Sequence, residues 1–167
     1  HLLKSFEEDY FVIDTGDLNL NKLQSVESDD QLRIARIHDA LVMGIRDYFK
    51  KMGFSKATLG LSGGIDSAVV LALAHKALGS EAIRVLLMPS QYSSQHSIDD
   101  AVALANKLNI QYDIVGIQPI FDSFKSQLQP IFEGLEENIT EENIQARVRG
   151  TLLMALSNKF GHLLLNT

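Results

Sequence analysis

The chain has 167 residues, 46 % of them hydrophobic and 22 % charged, and a formal net charge of −6. That length and composition suit one cored domain of ordinary soluble type, and the acidic balance argues against a general nucleic-acid binder, which would present a basic face. Cysteine is absent, which removes disulfides, thiolate metal sites and a cysteine nucleophile from these residues.

Residues 1–30 carry scattered acids and only short apolar runs, and read as a tail and linker. They show no basic-then-apolar secretory pattern. No apolar run anywhere approaches the roughly 18 residues of a membrane span, so the cytoplasm is the expected location. Gln31 to Met52 is the first helix: Ile34, Ile37, Leu41, Ile45, Tyr48 and Met52 recur at three- and four-residue steps. Lys50, Lys51 and Gly53 suit its C-terminal end.

Strand and helix then alternate. Ala57–Leu61 reads as a strand and Ile65–Leu78 as a helix ending at Gly79. Ala82–Met88 is a second strand, stopped by Pro89, and Gln95–Leu108 a helix with Ala101, Leu104, Ala105 and Leu108 inward. Tyr112–Ile117 is a third strand closed off by Pro119, followed by a short helix, Ile120–Leu128, and a loop, Pro130–Thr140. Thr140 caps a long helix with Glu141 and Glu142 in its first turn, where negative charge is favoured, and Gly161 as its stop. His162–Asn166 is a fourth strand. Strands this apolar, alternating with helices, predict an α/β fold: a parallel sheet with helices on both faces. An apolar run ending one residue or so before Thr167 should feed a further loop and helix, so the chain reads as a fragment, C-terminally incomplete.

Ligands of such sheets sit outside the carboxyl ends of the strands, and there the sequence is most informative. Between the first strand and its helix stands Ser62-Gly63-Gly64-Ile65-Asp66-Ser67. Glycines let backbone approach a phosphate, and the free N–H groups and positive dipole end of the helix favour an anion. Ser62 and Ser67 add hydroxyls, and Asp66 adds a carboxylate suited to Mg²⁺. No lysine stands in the turn, so this is not the usual P-loop of NTPases. The plainer alternative is a tight turn with Asp66 as a first-turn acid.

The hexapeptide resembles the S-G-G-x-D-S signature of the PP-loop ATP pyrophosphatases, enzymes that split ATP between the α- and β-phosphates. Two further blocks choose among them. Met88-Pro89-Ser90-Gln91-Tyr92-Ser93-Ser94, with Ser97 and Asp100-Ala101 after it, resembles the segment after the second strand of NAD synthetases. Glu141-Glu142-Asn143-Ile144-Gln145-Ala146-Arg147-Val148-Arg149 resembles the helix with which that family holds deamido-NAD, and Leu164-Leu165-Asn166-Thr167 the strand before its T-G-N-K-S-E motif. The resemblance covers about residues 31–167 and implies a Rossmann-like sheet of the adenine nucleotide alpha-hydrolase kind. It implies that Gly60, Leu61, Ser62, Gly63, Gly64, Ile65, Asp66, Ser67 and Thr167 contact ATP. Ser62, Asp66 and Ser67 are then catalytic, Asp66 holds Mg²⁺, and Asn143 and Arg147 contact deamido-NAD. The glutamate of T-G-N-K-S-E lies past Thr167.

The reaction so implied is ATP-dependent amidation of deamido-NAD to NAD through an adenylate, releasing AMP and pyrophosphate, in a homodimer or larger homo-oligomer. The ammonia is free or comes from glutamine; Phe6-Glu7-Glu8-Asp9 and the loop Pro130–Thr140 resemble the glutamine-dependent branch, with 1–30 the end of a preceding glutaminase domain. Alternatives stand beside these readings. Arg147 and Arg149 could be solvated partners of nearby acids, with Arg149 set off the Asn143–Arg147 face. Ser93 and Ser94 could be turn and cap residues. His38, His75, His96 and His162 share no spacing and read as surface or packing residues. A PP-loop ligase acting on tRNA, or a non-catalytic nucleotide-binding module, are the rival functions.

Overall fold

In the computed structural model, which describes residues 6, 8–12 and 30–167, the alternating segments build one four-stranded sheet. The tail-and-linker reading of residues 1–30 lies almost wholly outside the described residues. The elements are α1 (Asp30–Met52), β1 (Ala57–Gly60), α2 (Ile65–Leu78), β2 (Ile83–Leu87), α3 (Gln95–Lys107), β3 (Gln111–Ile114), α4 (Gln118–Leu128), α5 (Ile139–Phe160) and β4 (Leu163–Leu165). The sheet order is β3-β2-β1-β4 and every neighbouring pair is parallel. Chain order therefore reverses between β1 and β4, which opens a crevice at the carboxyl edge, the usual ligand position in such sheets.

Period-two alternation divides the sheet residues between two faces. Ala57 and Leu59 of β1 stand beside Ile83 and Val85 of β2 and beside Leu163 and Leu165 of β4. With Leu71 and Ala74 of α2, Ala101 and Ala105 of α3 and Phe49 of α1 they form the buried core. Burying each such aliphatic chain stabilises by about 1.5–3 kcal/mol. The opposite face packs on α5: a methyl group added at Gly60 would sit 3.4 Å from Leu153 of that helix.

This second face carries polar residues, unlike the first. Arg84 of β2 donates Nε to Asp113 Oδ2 (2.6 Å) and Nη2 to Oδ1 (3.0 Å), a bidentate clamp to edge strand β3, and its guanidinium lies 4.5 Å over the Phe160 ring. Buried Thr58 of β1 donates to the Arg84 carbonyl and lies 3.4 Å from His162 Nδ1. The Ser157 hydroxyl donates to the His162 carbonyl at 2.7 Å, tying the end of α5 to the entry of β4.

Local chemistry departs from the sequence reading in three places. The cap of α5 is Asn138, not Thr140: its side chain accepts from Thr140 N at 2.9 Å, and Glu141 returns the bond to Asn138 N at 2.8 Å, a full capping box. Pro119 starts α4 rather than closing β3, because the first helical turn tolerates a residue without N–H. On α1 the buried residues are Val42 and Phe49, while Ile34, Ile37, Leu41, Tyr48 and Met52 are exposed. Of the predicted apolar stripe, Ile45 packs against the core alongside Phe49, and the other five members face solvent.

Desolvation, then the charges of Lys56 and Arg84, hold the His162 pKa below the ordinary histidine value. Its unfolded form binds a proton first, so stability is present above that ordinary value, about 6.5, and is lost as pH falls through it toward the lower folded value. Denaturation midpoints of His162→Gln should therefore depend less on pH between about 7 and 5 than those of the unsubstituted protein. Identical slopes would show that His162 does not carry the dependence.

Candidate functional site

The turn after β1 is shaped from within by one hydroxyl. Ser67 is 2 % exposed; its Oγ donates to the Gly64 carbonyl (3.0 Å) and accepts from Ser62 N (3.2 Å), with Ser62 Oγ 3.0 Å away. Gly64 N donates to Ser62 Oγ at 3.2 Å. The hydroxyl proton of Ser67 is thus engaged inside the turn, so this side chain fixes the shape of the loop.

What the turn leaves free is the start of α2. Gly64 occupies the N-cap position and makes no side-chain capping bond. Among the described residues the N–H groups of Gly63, Ile65, Asp66 and Ser67 have no partner; the first helical bond is Ala68 N to Gly64 O at 3.2 Å. By contrast α3 is capped by the side chain of Ser94, and α5 by Asn138. A helix start without a cap, at the carboxyl edge of a parallel sheet, has the geometry and dipole that favour an anion.

Gly63 is what lets the turn lie there. Its φ is +82°, and a Cβ at that position would stand 2.1 Å from the Ser97 carbonyl oxygen in the first turn of α3. The loop is pressed against α3 with no room for a side chain.

Beside the turn lies a cavity of about 300 Å³ lined by Leu61, Ser62, Met88, Ser93, Ser97 and Arg149, among others. A second, of about 550 Å³, is lined by Tyr92, Glu137, Asn138, Glu141, Glu142, Gln145 and Arg149. Arg149 belongs to both. Its Nε donates to the Met88 carbonyl at 3.4 Å, and burial lowers its pKa.

The predicted residues fall into two groups. Gly60, Leu61, Ser62, Gly63, Gly64, Ile65, Asp66 and Ser67 are contiguous at the carboxyl edge, and Thr167 follows β4 at that same edge beside β1. Asn143 and Arg147 share one exposed side of α5, where Arg147 Nη1 donates to the Asn143 carbonyl and Oδ1, both at 3.2 Å. They line neither of the two cavities described; the neighbouring face, Gln145 and Arg149, does. Ser94 is the α3 cap, accepting from Ser97 N at 3.1 Å, and Ser93 Oγ accepts from Ser90 N at 3.0 Å, so both do the local work of cap and turn.

For a metal, no group of three or more His, Cys, Asp or Glu is gathered among the described residues. Asp66 is exposed, and its carboxylate makes no hydrogen bond or ion pair among them. One free carboxylate in the first turn of α2 fits Mg²⁺ only together with phosphate oxygens and waters, since that ion combines one or two carboxylates with such ligands.

A glycine-pinned turn, an uncapped helix start behind it and a cavity at the reversal of strand order define an α/β protein of the PP-loop, Rossmann-like fold. The chain belongs to the NAD synthase family, whose model matches residues 37–167. It is 48 % identical over 166 residues to a glutamine-dependent NAD(+) synthetase of Synechocystis, covering 97 % of this chain and 29 % of that one. The solved glutamine-dependent NAD+ synthetase of Acinetobacter baumannii, in complex with ADP, superimposes with a TM-score of 0.78 at 46 % identity, covering 85 % of this chain and 26 % of that one. The NH3-dependent NAD synthetase of Campylobacter jejuni gives 0.69 at 34 %, covering 78 % and 54 %. The chain therefore spans under a third of the first two.

Gly63→Ala should lower stability by more than the ~1–2 kcal/mol that a left-handed backbone costs a residue with a Cβ, because the Ser97 carbonyl must also move. Chemical denaturation measures this; an unchanged midpoint would mean the turn is not pinned against α3.

Proposed function

We propose that this domain carries out the ATP-dependent amidation of deamido-NAD to NAD. The observation that carries the reading is the uncapped start of α2 behind Ser62–Ser67. Pyrophosphate is the leaving group, so the amide donors of Gly63, Ile65, Asp66 and Ser67 belong on the β- and γ-phosphates of ATP, with Ser62 beside them. The Ser67 hydroxyl acts by holding the turn that presents those amides. Gly60 and Leu61 bring the strand to the phosphates, and Thr167 closes the ATP site from β4.

The carboxylate of the nicotinate ring attacks the α-phosphorus, the bond to the β-phosphate oxygen breaks, and pyrophosphate departs with the electron pair. Ammonia then attacks the acyl carbon and AMP leaves. Positioning and charge neutralisation dominate nucleotidyl transfer of this kind. Asp66 would hold Mg²⁺, which when bound neutralises phosphate charge. Asn143 and Arg147, four residues apart on one exposed face of α5, are suited to a shared ligand and in this proposal contact deamido-NAD. Their exposure fits a site completed by a second copy of the chain, hence a homodimer or larger homo-oligomer. Glutamine as the ammonia source would belong to a portion of the protein outside these residues. No helix among the described residues is long and apolar enough to cross a membrane; the proposed location is the cytoplasm.

Formation of AMP and pyrophosphate that requires both ATP and deamido-NAD tests the proposal in the full protein. Asp66→Ala should slow turnover by about 100-fold or more, while stability moves by about 0.5 kcal/mol or less, as expected for an exposed residue without partners. Normal turnover by the folded variant would remove the metal role. Arg147→Ala should raise the KM for deamido-NAD by about tenfold, the worth of one charge-assisted hydrogen bond. A fall in ATP affinity instead would overturn the substrate-side assignment.

A further inference from the structure

Arg149 stands two residues beyond Arg147 on α5 and so faces another way. It forms part of the wall of both cavities: Ser62 and Ser97 share the first with it, Tyr92 and Gln145 the second. Among the described residues its only hydrogen bond goes to the Met88 carbonyl. Among the described residues no carboxylate is ion-paired with it. Of the three acids that line the second cavity, Glu141 is engaged in the capping box of α5 and Glu137 with Lys125, while Glu142 is exposed and forms no ion pair with Arg149. A guanidinium does not give up its proton in proteins. Partly desolvated and without a counter-ion, it is stabilised by an anion brought alongside, and its planar fork suits phosphate oxygens.

We propose that Arg149 is a further site residue, which grips the α-phosphate of the nucleotide from the side opposite the Ser62–Ser67 turn. The inference rests on the function proposed above. With the pyrophosphate end of ATP on the start of α2, the α-phosphorus lies one bond further along, in the cavity that Ser62 and Arg149 share. In the adenylation step the acyl carboxylate oxygen bonds to that phosphorus and the bond to the β-phosphate oxygen breaks. Arg149 neutralises the charge on the non-bridging α-oxygens during this exchange and stays with the adenylate, and then with AMP, after pyrophosphate has gone. It also lines the larger cavity with Tyr92 and Gln145, into which the acyl group would then come.

This assignment separates two ligands that bind within one site. In the full protein, Arg149→Gln should weaken AMP binding by roughly tenfold or more, the worth of a charge-assisted contact, and leave pyrophosphate binding unchanged. Single-turnover formation of the adenylate should slow by about 100-fold or more. Arg149→Lys, which keeps the charge and loses the fork, should recover part of the AMP affinity. If AMP affinity is unchanged, or if AMP and pyrophosphate affinities fall together as a merely structural role would require, the assignment is overturned. Should Arg149→Gln fail to fold, the same comparison of AMP with pyrophosphate on Arg149→Lys decides. Unsubstituted protein that binds both ligands and forms no adenylate would sink the proposed reaction, while the binding comparison would still decide for or against Arg149.

Discussion

The hydroxyl of Ser67, sunk beneath the turn after β1, is the contact on which the site depends. By donating to the Gly64 carbonyl and accepting from Ser62 N, it satisfies the interior of the loop. The N–H groups at the start of α2 are then left pointing outward without partners. The usual remedy, a side chain at the cap position, is excluded because Gly64 stands there. A cap typically contributes about 1 kcal/mol; the start of α2 goes without one, as does that of α4, while α3 and α5 are capped.

That turn is held in place by the rest of the fold. Leu59 and Val85 lie side by side in the core, and β1, like β2, is paired on both edges, so the loop leaves the sheet from an interior strand. The Ser97 carbonyl presses on Gly63 from α3, and Leu153 of α5 packs close under Gly60. Three elements thus meet at the loop. Across the sheet, the clamp from Arg84 to Asp113 secures the edge strand, and the contacts of Thr58 and Ser157 with His162 secure the entry of β4. These polar contacts lie on the α5 face, away from the aliphatic core, and they position strands rather than chemistry.

Much of this was legible in the residues. The spacing of apolar runs located each helix and strand to within a few residues, and S-G-G-x-D-S announced a tight strand-to-helix turn through its glycines and hydroxyls. What was missed had physical causes. Asn138 displaced Thr140 as the cap because Glu141 lies three residues after it and completes a reciprocal box. The polar contents of the α5 face could not be seen from strands that read as apolar, since Thr58, Arg84 and Asp113 meet only once register brings β1, β2 and β3 together. Arg149 was set aside because helical spacing groups Asn143 with Arg147. Only the approach of α5 to Met88 shows that the neighbouring face is the one that meets the cavity beside the turn.

On this account a single surface presents backbone amides to the departing end of the nucleotide, while α5 offers its charge from across the cavity. The most direct test is a crystal structure of the full protein with a non-hydrolysable ATP analogue and Mg²⁺. The account predicts β- and γ-phosphate oxygens within hydrogen-bonding distance of the amides of Gly63, Ile65, Asp66 and Ser67. A triphosphate bound elsewhere, with those four amides facing only water at saturating nucleotide, would contradict it.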